Sequence, residues 1–178
     1  MHSPALRVLH VCMLCCAVAF VFVSLVQQEK GKQIHVPTQD GTLNMTQEVY
    51  IYACSDVVIF VDSKCKGVRI DRCRNVTVVV QSLLSGVEVV NSFKMKMQVN
   101  GQVPSVAIDK TDGIVVGLSW DSRDAQIVTS KSSEMNVTFP VSADADAEWV
   151  EMPIPEQFVT KITGPKSLSS SVSELYSH

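Results

Sequence analysis

VVIFVDSKCKG (57–67), VTVVVQSLLSG (76–86), MKMQVNGQVPS (95–105) and IVVGLSWDSRD (114–124) begin nineteen residues apart each time. Between them lie VRIDRCRN (68–75), VEVVNSFK (87–94), VAIDKTDG (106–113) and AQIVTSKSSE (125–134), again at nineteen-residue intervals. MNVTFPV (135–141) restarts the longer class after a slightly extended turn. A fixed period near twenty with two apolar segments per repeat is a solenoid signature, because each repeat can bury its apolar face only against its neighbours. Within each segment the apolar residues recur at every second position, the period of a strand. Helices are excluded both by that spacing and by the frequent breakers Gly67, Gly86, Gly101 and Gly113. Stacking the repeats predicts an interior column of Val57, Val76, Met95, Ile114 and Met135. A second column holds Ile59, Val78, Met97, Val116 and Val137, and the opposite sheet builds one from Val68, Val87, Val106 and Ala125. The expected fold is all-β, a parallel β-helix with coils of about 19 residues and two strands per coil.

A solenoid needs covered ends. Val49-Tyr-Ile-Tyr52 is expected to cap the first coil. After Pro140 comes a polar loop, SADADAEWVEMPIP (142–155). FVTKIT (158–163) and SLSSSVSEL (167–175) then alternate about a Gly164-Pro165 turn and read as a β-hairpin. A lone hairpin is marginal in water, so this one must pack on its own molecule or on a neighbour.

The N-terminal third differs from the body. VLHVCMLCCAVAFVFVSLV (8–26) holds no formally charged side chain. As a helix it would run about 28 Å, close to the hydrocarbon thickness of a bilayer. Residues 1–26 are therefore expected to associate with a membrane, as a span, as a signal peptide or through S-acylation of Cys12, Cys15 and Cys16. Residues 27–48 are polar, contain Gly31, Pro37 and Gly41, and read as a linker to a β-helix domain over 49–178.

Composition excludes several function classes. The formal net charge is −3 and no Lys/Arg run or basic stripe occurs, so nucleic acid is not an expected partner. The histidines His2, His10, His35 and His178 all fall outside the repeats, which leaves no triad, metal cluster or cofactor site to expect within them. No Gly-rich phosphate loop is present. The body carries three cysteines, Cys54, Cys65 and Cys73, and that odd number suits a reducing cytosol better than a disulfide framework. The glycosylation patterns at Asn44, Asn75 and Asn136 oppose that reading; two of them fall in predicted strands or turns, where a glycan is awkward.

Val49-Tyr-Ile-Tyr, the Asp109-Lys-Thr-Asp-Gly113 turn, Lys131-Ser-Ser-Glu-Met-Asn136 and Pro155-Glu-Gln-Phe158, in this order, resemble the C-terminal domain of cyclase-associated proteins. Ser171-Val-Ser-Glu174 is similar to that family's terminal strand, and the single-domain layout is similar to protozoan forms. The resemblance implies a right-handed β-helix that binds monomeric actin, preferring the ADP form, and promotes nucleotide exchange on it. It implies no enzymatic activity in this chain. It also implies a homodimer made by exchange of C-terminal strands, through Phe158, Ile162, Leu168 and Val172. Lys110, Asp112, Lys131, Ser132, Ser133, Glu134 and Asn136 are the expected actin contacts, on two turns one repeat apart. The resemblance places the chain in the cytoplasm with the actin cytoskeleton. Two further readings are a GTPase regulator like the tubulin-cofactor-C domain and a secreted carbohydrate-active β-helix. The first needs an arginine near Gln81-Ser-Leu-Leu-Ser-Gly86, where none occurs. The second needs carboxylates or aromatics clustered on one exposed sheet face, and the outward positions are mostly Val, Thr, Lys and Gln.

Overall fold

A computed structural model of the chain describes residues 9–12, 22–27, 30–31, 33–36 and 43–174. Two parallel sheets face each other across a core of Val, Ile, Met and Cys side chains. One sheet stacks β2 (Phe22–Gln27), β4 (Glu48–Tyr52), β6 (Cys65–Asp71), β8 (Leu83–Val90), β10 (Ser105–Asp109) and β12 (Gln126–Ser130). The other stacks β3 (Gln33–Val36), β5 (Ser55–Val61), β7 (Arg74–Val80), β9 (Phe93–Val99), β11 (Asp112–Leu118) and β13 (Ser133–Pro140). The chain alternates between the sheets, so consecutive pairs are coils of a parallel β-helix. Antiparallel strands close both ends: β1 (Leu9–Cys12) on β2, and β14 (Trp149–Pro153) on β13.

The columns read from the sequence are the columns of the core. Val57 pairs with Val76, Val76 with Met95, Met95 with Ile114 and Ile114 with Met135. Ile59, Val78, Met97, Val116 and Val137 follow in the same register. Ile59, Val78 and Val116 are fully enclosed, each contributing on the order of 1.5–3 kcal/mol relative to an exposed side chain. The opposite column departs from expectation at its last place. Val106 pairs with Ile127, not Ala125, so this coil spans 127 − 106 = 21 residues. A 3-10 turn at Trp120–Ser122 absorbs the two extra residues, and the slack therefore lies before β12 rather than after it. Within the loop after Pro140, β14 forms where no strand was expected.

The larger correction concerns the N-terminal end. Val49–Tyr52 does not begin the stack, because β2 and β3 form a complete coil beneath it. Val26 pairs with Ile51 and Ile34 with Ile59, a spacing of 25 residues in each case, and Val26, Ile34 and Val36 are buried. Residues 22–27 and 33–36 thus form strands of the solenoid, in a stretch that the sequence divides between an apolar segment and a linker. No helix among the described residues is long and apolar enough to cross a membrane. Cys15 and Cys16 lie outside the described residues, and Cys12 ends β1. His35, expected outside the repeats, sits in β3 with its ring stacked on Phe60 at 4.7 Å and its Nδ1 2.7 Å from Asp62.

The three thiols of the body are core residues. Burial pushes the Cys65 thiol up to about 11. A hydrogen bond with Cys54, together with burial, pushes Cys73 well above the usual thiol range. A thiol that keeps its proton more firmly when folded adds stability below its unfolded pKa of 9.0, and that stability is lost as the pH rises through about 11. For Cys65 the loss reaches about 3 kcal/mol by linkage. The urea midpoint should therefore fall between pH 9 and about 11, and the fall should be smaller in Cys65→Ala. An equal fall in both proteins would show that Cys65 does not carry it.

Candidate functional site

Each coil passes from the first sheet to the second through one repeated corner. Ala53, Arg72, Asn91, Lys110 and Lys131 occupy its first position, all with φ between 47° and 56°. The next position is taken by Cys54, Cys73, Ser92, Thr111 and Ser132. Each of these donates its side-chain hydrogen to the carbonyl two residues earlier: Tyr52, Asp71, Val90, Asp109 and Ser130 respectively. Ser92 Oγ also accepts the Cys73 amide at 3.1 Å, and Ser132 Oγ the Thr111 amide at 3.1 Å. Two residues on, Asp56, Asn75, Lys94, Gly113 and Glu134 again have positive φ. All nine non-glycine residues with positive φ among the described residues lie in these two columns.

This corner holds most of the residues expected to contact actin. Lys110 N donates to Ser130 O at 2.9 Å, and the Ser133 hydroxyl donates to the Asp112 carboxylate. The turns 109–113 and 131–134 are thus welded into one surface, as their spacing of one repeat implied. Lys131 and Glu134 are exposed. Ser132 differs: its hydroxyl is spent inside the corner, which gives it a structural task. Asn136 also lies apart, on β13, where its side-chain amide donates to Glu151 of β14 at 2.6 Å.

The corner opens onto a cleft of about 460 Å³ lined by Lys131, Ser133, Met135, Pro155, Glu156 and Phe158. Here Glu156 Oε1 accepts the Met135 amide at 3.2 Å and the Ile154 amide donates to Met135 O at 2.8 Å, covering the last coil's edge. The chain then leaves the solenoid as the expected hairpin, β15 (Phe158–Gly164) and β16 (Ser167–Val172). Among the described residues these two strands pair only with each other. Phe158 faces Val172 and Ile162 faces Leu168, with the Thr160–Ser170 hydroxyl pair between them. One side of the ribbon is therefore apolar and open, with Ile162 83% and Leu168 70% exposed.

Elsewhere Arg69 Nε lies 3.5 Å from Glu88 on the outer face of the first sheet, a contact between exposed side chains of little energy. Among the described residues no group of three or more His, Cys, Asp or Glu could hold a metal ion. Asn75 and Asn136, two of the three possible glycosylation sites, have side chains engaged with Asp56 and Glu151.

These features define a β-solenoid that displays a polar ridge along one corner and an apolar ribbon at one end. The chain belongs to the adenylyl cyclase-associated protein family: residues 22–175 match the family described as adenylate cyclase associated (CAP) C terminal. That match opens at the first residue of β2. The chain is 38% identical over 152 residues to an adenylyl cyclase-associated protein of Dictyostelium discoideum, covering 85% of this chain and 32% of that protein. It is 36% identical over 153 residues to human adenylyl cyclase-associated protein 1, covering 82% of this chain and 31% of the relative. The chain thus spans about a third of the length of these curated relatives. In structure it is similar to a cyclase-associated protein from Cryptosporidium parvum, with a TM-score of 0.74 and 30% identity, over 85% of this chain and 90% of that one.

Proposed function

We propose that the chain binds monomeric actin, preferring its ADP form, and promotes exchange of the bound nucleotide. The observation that supports this most is the welded corner of the last two coils. Two turns that match the family's motifs form one rigid, exposed polar surface, and the packing of the core does not require Lys131 or Glu134. The reading needs no nucleotide site on this chain. An exchange factor must only bind the open-cleft state of actin more tightly than the closed one, and the difference in affinity sets how far the equilibrium moves. Lys131→Ala with Glu134→Ala should weaken binding of ADP-actin more than tenfold, about 1.4 kcal/mol or above. The melting temperature should stay nearly constant, since exposed substitutions usually remain within about 0.5 kcal/mol. Both positions already carry a Cβ at positive φ, so alanine adds no backbone strain. Unchanged affinity in the double variant would move the contact off this corner.

The same reading includes a homodimer built through the C-terminal hairpin. Its support is the open apolar side of the ribbon formed by Phe158, Ile162, Leu168 and Val172. Among the described residues the hairpin's strands pair with no other strand, and an isolated two-stranded ribbon is marginal in water. A second copy can cover that side and supply the missing strand partners. Light scattering should report a dimer for the intact chain and a monomer after substitution of Ile162→Asp with Leu168→Asp. A dimer that persists in this variant would place the contact elsewhere.

A further inference from the structure

The corner column that contributes Asp112 and Ser133 to the candidate site continues three coils further, through Phe93 and Arg74 to Ser55. Every other member of the column is polar or charged, yet Phe93 is aromatic, half-exposed and absent from the hydrophobic core. Two cations lie against its ring: the Arg74 guanidinium carbon 5.2 Å from the centroid and the Lys94 ammonium at 5.3 Å. One corner position away, Arg72 lies 5.7 Å from the centroid of the Tyr52 ring and donates to its hydroxyl at 2.8 Å. No carboxylate among the described residues is within ion-pair distance of Arg72, Arg74 or Lys94. Nearby acids are engaged elsewhere. Asp71 accepts from Tyr50 and Asn91, and Asp56 accepts from Asn75.

We infer that this cluster of Arg72, Arg74, Phe93 and Lys94 is a second contact region, which takes an acidic segment of the protein bound at the Lys131 corner. On the reading of the preceding section that protein is the actin monomer, and the inference rests on that reading. The cluster lies on the same corner of the solenoid, so one rigid partner surface can cover both. Aromatic and arginine side chains are the types enriched at the energetic centres of interfaces. Cations already held against an aromatic face lose little freedom on binding, which suits them to receive carboxylates without a large ordering penalty. The chemistry is complementary to that of the Lys131 corner, where Asp112 and Glu134 stand among the lysines. The surface thus changes from mixed charge at coils five and six to a net positive charge at coils three and four, where Arg72, Arg74 and Lys94 outnumber Asp71, and this gradient favours one direction for the partner.

The test is the affinity of the intact chain for monomeric ADP-actin at about 50 and about 200 mM salt, with melting temperatures on the same samples. Arg74→Glu with Lys94→Glu should weaken binding more than tenfold at low salt, and the deficit should shrink at high salt. Phe93→Ala should weaken binding at both salts, because the ring contributes apolar area that salt does not screen. Arg74→Gln with Lys94→Gln, which removes charge without reversing it, should fall between wild type and the reversal at an unchanged melting temperature. If the wild type binds and the charge-reversed protein binds equally well, this inference fails while the actin reading stands. If the wild type itself does not bind actin, both fall together. A deficit of the same size at both salts would contradict an acidic partner segment.

Discussion

The fold depends on a corner that forces the backbone into the left-handed region twice in each coil from the second to the sixth. Ala53, Arg72, Asn91, Lys110 and Lys131 turn the chain out of the first sheet, and Asp56, Asn75, Lys94, Gly113 and Glu134 turn it into the second. Such a conformation is unfavourable for a side chain with a Cβ, by roughly 1–2 kcal/mol per residue. Of these ten residues only Gly113 avoids that penalty. Four of the remaining positions are held by their neighbours in the stack: the amides of Ala53, Arg72, Asn91 and Lys110 each donate to a carbonyl of the following coil. Between the two left-handed positions, the hydrogen-bonding column from Cys54 to Ser132 satisfies carbonyls that the bend would otherwise strand. Because each corner is stabilised by the next, the device works only in register, and the interior columns of Val, Ile and Met supply that register.

This division of labour explains where function can reside. The interior is committed to packing, and the central corner column is committed to backbone hydrogen bonds. The left-handed residues on either side point outward and repeat at the strand spacing of about 4.8 Å. They can be charged at little expense to the fold, provided that the backbone conformation is kept. A row of such residues is a rigid ruler of side chains, well suited to recognising one conformation of a partner over another. The open hairpin adds a second kind of surface, apolar and extended, suited to pairing with a further strand.

Much of this architecture was legible because β-strand alternation and a constant nineteen-residue spacing reinforce one another from Val57 to Val116. The reading weakened where either signal lapsed. The first coil needs 25 residues, and its strand β2 lies in an unbroken apolar run, so its alternation is invisible and the stretch resembles a membrane segment. The insertion at Trp120–Ser122 shifted the last column from Ala125 to Ile127, since the pattern alone does not say on which side of β12 two extra residues bulge. The hydrogen-bonding column was missed because cysteine, serine and threonine share no hydropathy; their common property is a short side-chain donor at one fixed offset. That property assigns Ser132 to the corner's own architecture. The contacts of Arg74 and Lys94 with Phe93 were likewise hidden, because Arg74 and Phe93 meet only when coils nineteen residues apart are stacked. The turns at Asp109 and Lys131, by contrast, were found through the family resemblance, and stacking explains why two separated motifs act as one surface.

A rigid solenoid can accelerate nucleotide release only through preferential binding to the actin state that has opened around its ligand. The direct measurement is the rate at which a fluorescent ADP analogue leaves monomeric actin as the concentration of this protein is raised. The account predicts a release rate that climbs and then saturates as the actin becomes fully bound. A release rate that stays at its basal value while binding is complete would contradict it.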